Sequence, residues 1–404
     1  MNRIAITGMG IVSALGIGKA AFWEKCRLAR SGIKSIESVL DGDHRCTMAA
    51  LVEGYNPRQY LKPAVYRRMS RLSRMAVSAC IEAVQDCGLD LDCVDRDRIA
   101  IVAGTAHGSS ESIEAFYAGM LAEGPRGAQP FYFPETVPNA PAGHAAMILG
   151  ITGPNTTFGQ NDLSAENALG FAHQLLIEDR ADAAIVCGMD EIGDMLFGCY
   201  DALGVLNRGS AKAEDVSQPI MGAGMVLGEG AGALVLEQEA FARARRAEIL
   251  ATLASVAITG GITTPGTYEN CDAALEKAIN MALEQAGMGA SDVDQISVSG
   301  NFTGHAERAE ITALSRSGLF DGPSKGVSPM RYLTGNFGGA GIFSAAALAL
   351  SLYRQQPLPF LNIQAYTATN TTPDWQLAEG GPTQTALMTT CSYGGGCAAL
   401  VLDR

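Results

Sequence analysis

The sequence is poor in the side chains from which metal and nucleophilic centres are usually built. Only five histidines occur in 404 residues, none in an HExxH or similar pair at helical spacing, so no metal site is expected. The ten cysteines show no CxxC spacing and no histidines at ligand spacing, which reads as free, buried thiols in a reducing compartment. No GxSxG elbow is present, which excludes the usual serine-hydrolase signature. Positive charge is also short: 29 Lys and Arg stand against 42 Asp and Glu, a net charge of −13, and this argues against binding a nucleic-acid backbone. No apolar run reaches the roughly 18 residues that crossing a bilayer requires, and MNRIAITGMG at the start has no signal-peptide pattern. A cytoplasmic protein without membrane insertion is expected.

Buryable surface and glycine, by contrast, are plentiful. Hydrophobic residues make up 47% of the chain and there are 47 glycines, a composition suited to a large packed core. Short Val-, Ile- and Ala-rich runs bounded by glycine read as buried strands at 3–7, 99–104, 183–188, 231–237, 250–259, 295–300, 386–390 and 398–403. Helical patterns lie between them at 67–86, 164–180, 272–286, 306–317 and 341–354. This alternation predicts an α/β fold. The order of elements repeats roughly, which predicts an N-terminal lobe over 1–240 and a C-terminal lobe over 241–404, joined near the charged EQEAFARARR segment. Stretches 207–222, 260–270 and 367–383 read as surface loops.

The first glycine run, TGMGIVSALG, invites comparison with a dinucleotide-binding loop. Its third small position falls on Ser13, however, and no acidic residue closes a second strand at the right distance, so Gly8 and Gly10 read as a tight strand-to-helix turn. His173, in the middle of a helical pattern beside an apolar run, reads as structural.

A set of glycine-centred stretches does point to one family. TGMGIVSALG at 7–16, SGI at 31–33, GPR and PFYFPETVPNAPAGH within 124–144, GITGPNTT at 150–157, VLGEGAGALVLE at 226–237, LTGNFGGAG at 333–341 and SYGGGCAALVLD at 392–403 run in order along almost the whole chain. Together they resemble a β-ketoacyl-acyl carrier protein synthase of the elongating type. The resemblance implies the duplicated, dimeric thiolase fold with five αβαβα layers. It also implies a chemistry in which a cysteine thiolate at a helix N-terminus takes an acyl chain. Two histidines then promote decarboxylation of a malonyl carrier.

Placed residue by residue, the motifs depart from that chemistry. The cysteine position falls on Asp162, the first histidine position on Ser299, the second on Asn336, and the family's lysine position on Arg331. No catalytic residue of the family's type remains. An acyl anhydride on Asp162 would hydrolyse rather than wait for condensation, and Cys391 reads as a small buried hydrophobe. A scaffold kept with its reaction centre replaced resembles a chain length factor, the non-condensing partner of an active ketosynthase in type II polyketide or aryl polyene assembly.

That resemblance implies a heterodimer with the active subunit and contact with an acyl carrier protein. No cofactor is implied beyond the phosphopantetheine-linked acyl chains the carrier brings. The tunnel and partner interface would then involve His107, Ile113, Phe116, Met120, Tyr132 and Phe133, with Asn155, Thr156, Thr157 and Phe158 in a strand facing the partner. Arg67, Arg71 and Arg74, at helical spacing with Arg68 beside them, form the densest basic cluster and are the candidate docking face for an acidic carrier. Two alternatives remain open: a malonyl-carrier decarboxylase or atypical synthase using Asn336 and Ser299 as oxyanion donors, and a homodimeric acyl-binding protein.

Overall fold

The computed structural model describes residues 3–36, 44–209, 222–264, 266–321, 326–367, 374–377 and 381–404. Of the three expected loops, 260–270 falls almost wholly within that range, while 210–221, 265, 368–373 and 378–380 lie outside it.

In chain order, the principal strands and helices of the first half are β1 (Ile4–Ser13), α1 (Arg71–Cys87), β2 (Ile99–Gly104), α2 (Ser110–Glu123), α3 (Ala140–Leu149), β3 (Asn155–Phe158), α4 (Ser164–Ile177), β4 (Ala183–Asp190), α5 (Asp194–Ala202) and β5 (Gly230–Gln238). The second half follows with β6 (Ala251–Gly260), α6 (Cys271–Ala286), β7 (Gln295–Val298), α7 (His305–Arg316), β8 (Val327–Pro329), α8 (Ala340–Arg354), β9 (Thr385–Cys391) and β10 (Gly396–Asp403).

The two halves repeat one topology. Strands order as β3-β2-β4-β5-β1 and as β8-β7-β9-β10-β6. In each, the first three are parallel and the next two pairings antiparallel. The half-sheets meet where residues 4–6 of β1 pair with 251–253 of β6.

Every residue of β1, β2, β4 and β9 is buried, as expected for strands covered on both faces. One core lies between α1, α3 and the first half-sheet, and another between α6, α7 and the second. A third surrounds α4 and α8 in the middle. Helix α8 packs against α4 and against strands of both half-sheets, and all but its last two residues are buried. Outer helix, sheet, central helix pair, sheet and outer helix make the five αβαβα layers of the thiolase fold, as the resemblance implied.

Two expectations change. TGMG is not a turn: β1 runs straight through Gly8 and Gly10 to Ser13. The glycines are there because α1 crosses directly above. A Cβ on Gly8 would lie 2.6 Å from the Ala83 carbonyl oxygen, and one on Gly10 would lie 2.0 Å from that of Ala79. The helix expected from residue 67 begins at Arg71, where the Ser70 hydroxyl accepts the Ser73 N–H at 3.0 Å and caps it; such a cap fixes the start of a helix.

Gly10→Ala should therefore force β1 and α1 apart and cost roughly 1–3 kcal/mol, read as a lower denaturant midpoint. Gly143→Ala in α3, where nothing lies within 4 Å of the added carbon, should be neutral or stabilising by about 0.5–1 kcal/mol.

Candidate functional site

The turn between β3 and α4 carries Asp162. Asn161 adopts φ 48°, a conformation that side chains seldom take. The short turn Asn161–Leu163 then leads directly into Ser164, the first residue of α4. This is the sharp strand-to-helix turn expected for a reactive side chain, and Asp162 on it is buried.

Opposite stands the segment between β8 and α8, which holds Arg331 and Asn336, both buried. The Asn336 amide donates Nδ2–H to Asp162 Oδ1 at 3.0 Å, and its Oδ1 accepts from Arg331 at 2.8 Å. The Asn336 backbone is held too, its N–H on the Val226 carbonyl at 2.8 Å and its carbonyl on the Gly228 N–H at 3.1 Å. Arg331 also donates to the Asp162 carbonyl at 2.8 Å. Its guanidinium lies 3.8 Å from Asp162 Oδ1 and 3.7 Å from Glu166 Oε1. Thr390 in turn donates to Glu166 at 2.6 Å. Burial pushes the Asp162 carboxyl above its ordinary range, opposed first by Arg331 and then by Asn336. Burial acts the same way on Glu166, again opposed by Arg331. Two carboxyls sharing one cation titrate as a unit.

Ser299 belongs to an adjoining network. Its N–H and its hydroxyl donate to Glu310 Oε1 at 2.7 and 2.9 Å, and its Oγ accepts the Cys391 N–H at 2.9 Å. Glu310 also accepts from Thr389 at 3.3 Å and from the Tyr366 hydroxyl. Burial pushes Glu310 up to about 7 against these donors. Thr390 and Cys391, consecutive in β9, thus touch the two networks on either side.

A cavity of about 800 Å³ approaches this centre, lined by Tyr200, Leu203, Met225, Tyr268, Thr303, His305 and Tyr393 among others. Met225 separates it from the cluster, with its sulfur 3.7 Å from Asn336 Nδ2. His107 is half-buried: its N–H donates to Asp190 at 2.9 Å and its Nε2 lies 3.3 Å from the hydroxyl of the cavity residue Tyr200. His173 lies on α4, where burial lowers its pKa.

A second surface stands at the sheet edge. Among the described residues, β3 pairs with β2 on one side only, and the Thr157 hydroxyl in it is buried without a partner. Ile113, Phe116 and Met120 on α2 are half-buried. Phe116 meets the Phe133 ring at 5.8 Å, and Tyr132 meets Phe131 at 5.5 Å. Around them Leu121 is 87% exposed, Met147 71% and Phe133 60%. Exposed apolar side chains gathered beside an unpaired strand are what a protein interface requires.

The arginine cluster is not as expected. Arg67 and Arg68 precede the Ser70 cap and so share no helix face with Arg71 and Arg74. Arg71 is committed to the buried Glu229 in a two-bond pair at 2.7 and 2.5 Å, and Arg74 bonds the carbonyls of Tyr66 and Met69. Exposed Arg67 and Arg68 stand instead near Arg58 and Lys62, also exposed.

Sequence reasoning missed Glu166, although a charged residue four positions after Asp162 in an apolar helix was a signal. It also passed over Glu310, Tyr200, Tyr268 and Tyr393. All cysteines except Cys93 and Cys199 are buried. Among the described residues no group of His, Cys, Asp and Glu could hold a metal ion, and no helix is long and apolar enough to cross a membrane.

Comparison with known proteins identifies the architecture. Residues 1–242 match the family described as "Beta-ketoacyl synthase, N-terminal domain" and 250–364 the corresponding C-terminal domain. The chain is 29% identical over 375 residues to "3-oxoacyl-[acyl-carrier-protein] synthase 2" of Vibrio cholerae serotype O1, covering 90% of this chain and 89% of that protein. It is 30% identical over 377 residues to "Putative polyketide beta-ketoacyl synthase 1" of Streptomyces halstedii, covering 90% and 88%. Among solved structures, "The ishigamide ketosynthase/chain length factor" superposes with a TM-score of 0.88 at 23% identity, over 100% of this chain and 99% of that one.

Because Glu310 near 7 and Glu191, which burial pushes up to about 8, hold protons that the unfolded chain releases near pH 4.5, stability should fall as pH rises from about 5 to 8. Glu310→Gln, which mimics the protonated acid, should remove the part near pH 7, on the order of 3 kcal/mol. Urea melts at pH 5.5, 7 and 8.5 on both proteins would show it, and a flat profile for the parent would refute it.

Proposed function

The chain belongs to the β-ketoacyl synthase family, and from that membership we propose that it is a non-condensing, chain length factor-like subunit. In this reading it pairs with an active ketosynthase, shapes the acyl tunnel across their interface and sets product length in type II polyketide or aryl polyene assembly. The observation that carries the proposal is the centre itself. No thiol stands at the Asp162 turn, and the side chains there are hydrogen-bonded to one another.

The same saturation speaks against a decarboxylase. Oxyanion stabilisation needs a donor aimed at empty space where charge develops. The single hydroxyl proton of Ser299 goes to Glu310. The Asn336 amide donates to Asp162 and faces Met225 sulfur.

The partner would lie on the β3 edge and the apolar side chains of α2 and the 131–137 turn. An edge strand of four residues with free N–H and C=O groups can be extended by a second subunit's strand. Ile113, Phe116 and Met120, not enclosed by the chain's own core, would then face the partner's acyl pocket, with Tyr132 and Phe133 at its rim and His107 closing this chain's own side. The likeness to a ketosynthase/chain length factor structure supports this reading, while the named synthase among the relatives marks the catalytic ancestry from which the centre departs. Docking of an acidic carrier would fall to Arg67 and Arg68 with Arg58 and Lys62. The lobes are taken as 1–240 and 241–404.

Intact mass after incubation with an acylated carrier tests the central claim. The chain alone should gain no acyl mass, and in a reconstituted pair the mass should appear on the partner only; a covalent acyl group on this chain would overturn the proposal. In the same pair, Met120→Ala should lengthen and Met120→Trp shorten the dominant product by about one two-carbon unit, read by product mass spectrometry. An unchanged distribution would remove the tunnel role.

A further inference from the structure

Three buried thiols meet beneath the hairpin that forms one wall of the cavity. Cys391 ends β9 and Cys397 lies at the start of β10, and the two are direct partners in the antiparallel register. Next to them the Ser392 N–H donates to the Gly396 carbonyl at 2.9 Å, whereas the Cys391 N–H turns away to Ser299 Oγ at 2.9 Å. Cys391 and Cys397 therefore occupy a non-hydrogen-bonded rung, where facing Cα atoms approach to about 4.5 Å. A disulfide spans that separation.

Their Sγ atoms are 3.9 Å apart. Cys271, the first residue of α6, completes the group: Cys397 Sγ lies 3.4 Å from the Cys271 carbonyl oxygen, and Cys271 Sγ lies 3.7 Å from that of Ser392. All three side chains are buried.

We propose that the Cys391–Cys397 rung is a redox modification site, at which a peroxide joins the two facing thiols as a cross-strand disulfide. The S–S bond forms as the peroxide O–O bond breaks. With hydrogen peroxide as the oxidant, the two sulfurs give up two electrons and two protons, and the protons leave on the two peroxide oxygens as two molecules of water. A small uncharged peroxide is the oxidant class suited to thiols this enclosed, and a soluble thiol reductant reverses the step by exchange.

The position gives the bond leverage. Cys391 holds Ser299 through its N–H, and the preceding Thr390 holds Glu166. Two residues beyond, Tyr393 lines the cavity. Closing the rung fixes the hairpin between the polar centre and the cavity wall. The inference rests on thiol geometry and does not depend on the partner role proposed above.

The test uses the full chain carrying Cys93→Ser and Cys199→Ser, which removes the two exposed thiols. After hydrogen peroxide treatment the protein is alkylated under denaturing conditions and digested with trypsin. Cys391 and Cys397 fall in one tryptic peptide, 355–404. Most of that peptide should lose about 2 Da and resist alkylation at both cysteines, and dithiothreitol should restore it. Full alkylation of both residues would overturn the proposal, as would a disulfide that instead joins either of them to the Cys271 peptide. Cys397→Ala should abolish the change. If that variant folds poorly, the mapping of the parent decides alone.

Discussion

One buried guanidinium organises the centre of this molecule. Arg331 comes from the second half of the chain and Asp162 and Glu166 from the first, so the cluster fastens the halves together across the central layer. Its arithmetic is uneven: one cation serves two carboxyls, both pushed upward by burial. Asp162 Oδ2 and Glu166 Oε2 are left without hydrogen-bond partners. Burial of two carboxyls around a single cation favours the protonated form, because an unpaired buried charge costs about 3–5 kcal/mol. Arg331 is the contact through which the two halves share this cluster.

Why the fold presents chemistry there follows from its duplication. Each half sends a strand into a tight turn and then into a central helix, and the two helix starts converge. The Ala165 N–H at the start of α4 donates to the Gly338 carbonyl just before α8 at 3.1 Å. Gly188 and Gly339 approach so closely that a Cβ on Gly188 would lie 2.5 Å from the Gly339 oxygen. Converging helix N-termini favour negative charge, which suits a thiolate and equally suits a carboxylate. Asp162 sits in that field, and the Asn336 amide beside it donates to Asp162 and accepts from Arg331.

The legible parts of this structure were those encoded locally. β2 matches its apolar run to the residue, and α6, α7 and α8 fall within a residue of their periodic patterns, because composition and glycine punctuation mark their limits. Val327–Pro329 is only three residues long and carries no such signal. Gly8 and Gly10 were legible as glycines but not as the floor beneath a crossing helix, since the contact is made by Ala79 and Ala83, far along the chain. The candidate site divides in the same manner. Asp162, Ser299, Asn336 and Arg331 were named through the resemblance of the motifs that hold them, and the structure brings Asp162, Asn336 and Arg331 together. Glu166 and Glu310 acquire their meaning from partners on other elements, as does Arg71, whose charge is absorbed by a glutamate 158 residues on.

The centre and the edge of the chain differ in how their groups are held. At the centre, the donors of Asn336 and Arg331 and the Ser299 hydroxyl are all directed at other parts of the protein. At the edge, β3 remains unextended and aromatic and aliphatic side chains stay in water, a costly arrangement for a chain meant to stand alone. In the reading proposed above, a centre without chemistry would free four side chains from constraint and leave every constraint on the face that another subunit would contact. The exposed apolar edge fits that reading, because apolar side chains beside a strand open on one side are stabilised when a neighbour covers them.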